Sequence, residues 1–159
     1  MGAKAEALAK QFEAKVQEAT AVLDKVSDAD WKKVTSAEKW PVCVVAHHIA
    51  TGHEGIAGLV KSAASGQHKP SFGSKELDQM NAQHAKDFAN VGKAETVTLH
   101  KKNAATAATM VRGLDDAALA RSAEPLKGMS AMTTEQMIQA ILIGHIDEHL
   151  GSIRKTVSA

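Results

Sequence analysis

The chain has 159 residues, 19 of them basic and 18 acidic, for a net charge of +1. That balance supplies none of the positive surface that binding a phosphate backbone requires, which excludes nucleic acid as an expected partner. Hydrophobic residues make up 44% and charged residues 23%, the proportions of a globular domain long enough to bury a core without staples. Residues 1–159 therefore read as one domain. Aromatics are only 3% and tyrosine is absent, so the core must be built from Ala, Val, Leu, Ile and Met, which suits close-packed helices. The single cysteine, Cys43, excludes an intramolecular disulfide. No apolar run is long enough to span a bilayer, and the opening Met1-Gly2-Ala3-Lys4 begins a charged amphipathic stretch without an apolar signal core. The expected compartment is the cytoplasm.

The periodicity predicts a first helix over residues 3–26, where Leu8, Phe12, Val16, Ala19 and Leu23 recur at three- and four-residue steps. Asp30 to Lys39 reads as polar and irregular. Trp40-Pro41 reads as the start of a second helix running to Ala64, because proline is tolerated in the first turn. Gly52, Gly55 and Gly58 form a stripe along it that could admit another helix closely. Ser65 to Ser74, with Gly66, Pro70 and Gly73, reads as a long connection, which permits consecutive helices to lie parallel. A third helix is predicted over 75–90 and 94–113, with an interruption near Asn90-Val91-Gly92 as the open alternative, and with stripes Leu77, Met80, His84, Phe88 and then Leu99, Asn103, Thr106, Met110. Residues 114–132 read as mostly loop. The last helix starts at Thr133, which with Gln136 has the pattern of a capping box. Ile138, Ile141, Leu142, His145, His149 and Ile153 trace its core-facing stripe.

Eight histidines are many for this length. His145 and His149 stand one helical turn apart, so their imidazoles share a face and can converge on one ion. Both replace apolar residues in the core-facing stripe. Burying two imidazoles there costs free energy unless their nitrogens find partners, and a metal is one such partner. The segment His145-Ile146-Asp147-Glu148-His149 also fits the His-x-x-Glu-His motif of inverted zinc peptidases. Those enzymes take a third ligand well downstream, and this sequence supplies no such segment after His149. Glu148 reads as a solvated or outer-sphere carboxylate. A third ligand must come from upstream. Of His47, His48 and His53, His48 shares a stripe with Val45, Gly52, Ile56 and Leu59 and so points inward, whereas His47 lies about 100° away around the helix. Cys43 reads as a small buried hydrophobe, with thiolate pairing to His47 the alternative. His68 falls in a loop and reads as solvated. His84 could approach the site, although packing or exposure accounts for it as well.

Trp40-Pro-Val-Cys-Val-Val-Ala-His-His48-Ile resembles the Trp-x-Val-x-x-x-x-x-His-Leu segment of the DinB/YfiT-like superfamily, Met80-Asn81-Ala82 resembles the start of that family's third helix, and Gly144 to Arg154 resembles its closing His-x-x-x-His-x-x-x-Ile segment. The resemblance spans nearly the whole chain. It implies an all-α four-helix bundle of up-down-down-up order, with the long connection between helices two and three, frequent homodimerisation, and a divalent metal ion held by His48, His145 and His149. The family's spacing from the tryptophan favours His48 over the adjacent His47. The metal would be Zn, Ni, Fe or Mn. Some members resemble transferases or isomerases that use low-molecular-weight thiols such as mycothiol or bacillithiol, which implies a small-molecule substrate and a metal-dependent transferase, isomerase or hydrolase. The alternative is a non-catalytic bundle with a structural metal, and a third reading is dimerisation through the glycine stripe without metal. The catalytic residues, if any, are not assigned by the sequence.

Overall fold

The computed structural model describes residues 2–157. Eight α-helices occur among the described residues: α1 Ala3–Lys25, α2 Asp28–Trp31, α3 Val42–Ala64, α4 Ser74–Asp87, α5 Lys93–Arg112, α6 Asp116–Ala120, α7 Thr134–Met137 and α8 Gly144–Thr156. A π-helical segment, Ile138–Ile143, joins α7 to α8 without a break. Two-residue strands β1, Ser122–Ala123, and β2, Met132–Thr133, pair antiparallel beside them. The long helices α1, α3, α5 and α8 make a four-helix bundle: α3 packs on α5 and α8, and α1 packs on the same two from the other side.

The core is aliphatic and small, as the scarcity of aromatic residues requires. Leu8, Phe12, Ala19 and Leu23 bury the predicted face of α1, although Val16 is only half-buried. α5 departs from the expected stripe. Its buried face is Thr96, His100, Asn103, Ala104, Ala107, Ala108 and Val111, while Thr106 is exposed and Leu99 and Met110 are half-buried. Alanine lets α5 approach both α1 and α3, so the small residues go inside and the larger apolar ones lie at the margin. The first turns of α3 are buried on every side, from Val42 through His47.

The predicted third helix is two elements. α5 belongs to the bundle, but α4 buries no residue and Met80 is 55% exposed. α4 rests on α3 through His84, Ala85 and Phe88 at its C-terminal end.

The segment expected to be polar and irregular is ordered. Ser27 caps α2 by accepting the Asp30 N–H. Trp31 and Thr35 are buried, and the Trp31 indole N–H donates to the Val91 carbonyl at 2.9 Å. The following loop closes on itself through the Thr35 N–H to Trp40 carbonyl bond (2.9 Å) and the Val42 N–H to Lys33 carbonyl bond (2.8 Å). His68 is half-buried rather than solvated, held between Ser62 and the Pro125 carbonyl.

The last helix starts where expected, with the reciprocal Thr133–Gln136 cap formed. The π segment then inserts a wide turn and rotates α8 relative to α7. Beyond it the fully buried line is Ile146, Leu150 and Ile153, so His145 and His149 stand beside the apolar stripe rather than within it. His149 is 9% exposed and His145 is half-buried.

Candidate metal centre

α3 and α8 lie side by side, and where they meet they bring His48, His145 and His149 together. One ligand nitrogen from each lies within 4.8 Å of the others, the only such group of three metal-ligating side chains among the described residues. His48 Nε2 and His145 Nε2 are 2.9 Å apart. The His149 ring centroid is 4.8 Å from that of His48 and 4.6 Å from that of His145. The edge of Trp40 meets the His48 ring at 5.5 Å.

The polar bookkeeping within this cluster does not close on protein atoms. His145 Nδ1 is buried with no hydrogen-bond partner. If His145 carries its proton there, a donor is orphaned. If the proton sits on Nε2, facing His48, an acceptor is orphaned. Either costs about 1–3 kcal/mol. His149 is better placed: its Nδ1–H donates to Glu38 Oε2 at 3.0 Å. The other Glu38 oxygen accepts the Ser152 hydroxyl.

The electrostatics keep His48 and His145 neutral. Burial pushes His145 down to about 2 and His48 down to about 4, and the neighbouring histidines add to both shifts. Metal ligands must be deprotonated, so a group already neutral at pH 7 loses no proton when it binds. Burial opposes ionisation of Glu38, but hydrogen bonds from Ser152, His149 and Thr35 outweigh it and hold the carboxyl below its usual range.

The chain makes room for this arrangement. A Cβ at Gly52 would stand 2.7 Å from His145 Nδ1, inside the space the ring occupies. Gly52 thus serves the histidine rather than a neighbouring helix. Gly55 and Gly58 of the same stripe face open space.

The other histidines pair up. His47 Nδ1 and His84 Nε2 are 2.7 Å apart, and His47 stacks on Phe88 at 3.9 Å, which ties α4 to α3. His84 also meets the edge of His48, at 5.8 Å, and its Nδ1 is buried without a partner. His53 Nε2 and His100 Nδ1 are 2.9 Å apart in the core, and His100 Nε2 reaches the Thr20 hydroxyl at 3.0 Å. Cys43 is the small buried residue the sequence suggested: its thiol faces the Ala89 carbonyl at 3.4 Å and burial pushes its pKa up. Glu148 is exposed. Sequence reasoning misses Glu38, because its segment reads as irregular. It also misses the two other histidine pairs, whose partners lie 37 and 47 residues apart. A groove of about 620 Å³ lies over His47, Phe88, Glu95, Thr98 and Lys102, separate from the three-histidine cluster. No helix among the described residues is long and apolar enough to cross a membrane.

Comparison with known proteins agrees with this architecture. Solved structures similar to the chain include YfiT from Bacillus subtilis, described as a probable metal-dependent hydrolase with an unusual four-helix bundle topology: TM-score 0.77, 15% identity, covering 98% of this chain and 87% of that one. The mycothiol-dependent maleylpyruvate isomerase is similar with TM-score 0.76 and 13% identity, covering 96% of this chain and 63% of its own. A mutant of that isomerase gives TM-score 0.76 at 12% identity, covering 100% and 65%. The chain thus spans a little under two thirds of the isomerase's length. At these identities the likeness speaks for the fold. No curated protein matches the sequence. The family profile described as the DinB superfamily matches residues 11–153, and the chain belongs to that superfamily.

Proposed function

We propose that His48, His145 and His149 hold one divalent metal ion and that the protein is a metal-dependent enzyme acting on a small molecule that is, or carries, a low-molecular-weight thiol. The observation that carries the metal reading is the cluster itself: three imidazoles with ligand nitrogens convergent within 4.8 Å, two of them, His48 and His145, held neutral by burial. Three protein ligands leave a coordination position open, the arrangement of catalytic rather than structural zinc sites. An ion there would supply Lewis acidity, lowering the pKa of a thiol or water. The protein's share is to keep His48 and His145 unprotonated by burial and to hold the three rings in place through Glu38, Trp40 and the space left by Gly52. The thiol is suggested by the superfamily and by the mycothiol-dependent isomerase among the structural neighbours; zinc, nickel and iron suit the imidazole donor set better than manganese, which prefers oxygen ligands. Association as a homodimer belongs to the same proposal.

The experiment is calorimetric titration of the zinc-loaded chain with mycothiol, bacillithiol and glutathione, alongside His145→Ala. Saturable binding of one thiol by the wild type, lost in the variant, supports the enzyme reading. Absence of binding by every thiol, with zinc stoichiometrically bound, removes the thiol and favours a structural ion.

A further inference from the structure

The loop between α2 and α3 reaches two of the three cluster histidines from one short stretch of chain. It is closed at its base by the Val34–Pro41 bridge and the Val42 N–H to Lys33 carbonyl bond. Within it, Lys39 has φ +62°, the only positive φ at a non-glycine position among the described residues. For a side chain such as lysine the left-handed conformation is disfavoured, because Cβ crowds the following carbonyl oxygen. It persists only where the surroundings over-determine it, and such residues cluster at functional sites.

What the turn achieves is visible in its two neighbours. Glu38, before it, sends a carboxylate that is 10% exposed onto α8, where it accepts the His149 Nδ1–H at 3.0 Å and the Ser152 hydroxyl. Trp40, after it, meets the His48 ring edge-on. Two residues flanking one strained position thus brace two histidines on different helices. Ser152 lies three residues after His149, on the same side of α8, so both donors fall within reach of the one carboxylate.

We propose that Glu38 is a positioning residue of the metal centre, aimed by the left-handed turn at Lys39: its carboxylate holds His149 in the Nδ1–H tautomer and in a fixed ring orientation, so that Nε2 presents its lone pair to the ion. The proposal rests on the three-histidine metal reading. Its chemical basis is general. A ligating histidine that donates its second N–H to a carboxylate is a more basic and better-oriented ligand, and loss of such a partner weakens metal binding about 10- to 100-fold. The competing role for Glu38 is a staple that merely fixes the loop to α8, and that role would change folding stability without changing ion affinity.

The test is the zinc dissociation constant of the full chain, measured by competition with a chromophoric chelator after the chain has been stripped of metal, with circular dichroism to confirm folding. Wild type is compared with Glu38→Gln, Ser152→Ala, Glu148→Gln and His145→Ala. Glu38→Gln keeps the side-chain shape and removes the charge, and should weaken zinc about 10- to 100-fold. Ser152→Ala, which frees one carboxylate oxygen, should weaken it in the same direction by less, and carries the test if Glu38→Gln does not fold. Glu148→Gln removes an exposed charge beside the same histidine and should leave affinity unchanged. Wild-type affinity in folded Glu38→Gln or, failing that variant, in Ser152→Ala, with zinc lost in His145→Ala, overturns the positioning role and leaves the metal reading standing. An equal loss in Glu38→Gln and Glu148→Gln overturns it too, because net charge would then be the cause. A wild type that takes up no zinc overturns both.

Discussion

Gly52 and His145 share one volume: the ring of the histidine on α8 stands where a side chain on α3 would begin, with a Cβ at position 52 falling 2.7 Å from Nδ1. Glycine in a helix interior is about 1 kcal/mol less favourable than alanine. Here the ring's position offsets that cost. Gly52→Ala should therefore push His145 out of the cluster and weaken metal binding by at least about tenfold, the scale on which ligand orientation acts. Gly55→Ala and Gly58→Ala, which meet nothing within 4 Å, should instead raise stability by about 0.5–1 kcal/mol each and leave metal binding unchanged. Urea unfolding and a chelator competition on the three variants check both halves. Unimpaired binding in Gly52→Ala would show that the ring does not need its observed place.

The buried histidines predict acid sensitivity of the metal-free protein. Burial pushes His53 down to about 3, with His100 adding to the shift, and pushes His48 and His145 down to about 4 and about 2. Each pKa is depressed relative to the unfolded value near 6.5. The unfolded chain therefore binds protons that the folded chain cannot. Stability is full above about pH 6.5 and falls as pH drops toward the folded values, with each histidine contributing up to about 1.4 kcal/mol per pH unit. Urea unfolding of the metal-free chain from about pH 8 to about pH 4.5 should show this decline. His53→Gln should reduce its slope by about one proton. A flat profile between about pH 7 and about pH 5 would contradict neutral burial of these rings.

Trp31 is the anchor that fixes α2 and the loop after it, which carries Glu38 and Trp40, to the bundle. Its indole N–H satisfies the Val91 carbonyl at 2.9 Å, and both residues are buried. Trp31→Phe keeps most of the apolar area and orphans the carbonyl, which should cost about 1–3 kcal/mol. Because Glu38 and Trp40 hang from the same loop, the variant should also weaken zinc measurably. Stability within about 0.5 kcal/mol of wild type would make the indole bond dispensable.

Much of the site is legible in residues 145 to 149, because two histidines one turn apart share a helix face whatever the tertiary context. The stripe that points His48 inward is only half-buried beyond Val45, and His47 is the more buried of the two, so His48 is legible through its tryptophan spacing, which carries the family resemblance. The rest depends on information that local periodicity does not contain. The π turn at Ile138–Ile143 shifts the phase of α8, so a straight-helix reading places His145 in the apolar stripe when it stands beside it. α4 carries an apolar stripe in sequence yet lies outside the bundle, because only its C-terminal end meets α3, through the pairing of His84 with His47 and the packing of Ala85 and Phe88. α5 buries alanines because two helices approach it at once. Glu38 is invisible in the sequence because its role comes from a left-handed turn at a lysine, where local preference argues against that conformation. The helix start at Thr133 is readable because its capping box is local; the start after Trp40 is readable from Pro41, which stands at the N-cap, one residue before the first helical position, rather than within the first turn.

The central claim is that His48, His145 and His149 form one metal centre. The measurement that tests it most directly is the metal content of the purified protein by mass spectrometry, after equilibration with zinc and removal of free ion, in wild type and in His48→Ala, His145→Ala and His149→Ala. The expected result is one ion per chain in the wild type and a loss of most of it in each variant, with helicity retained. Equal zinc in the wild type and all three variants, or none in the wild type, would contradict the account.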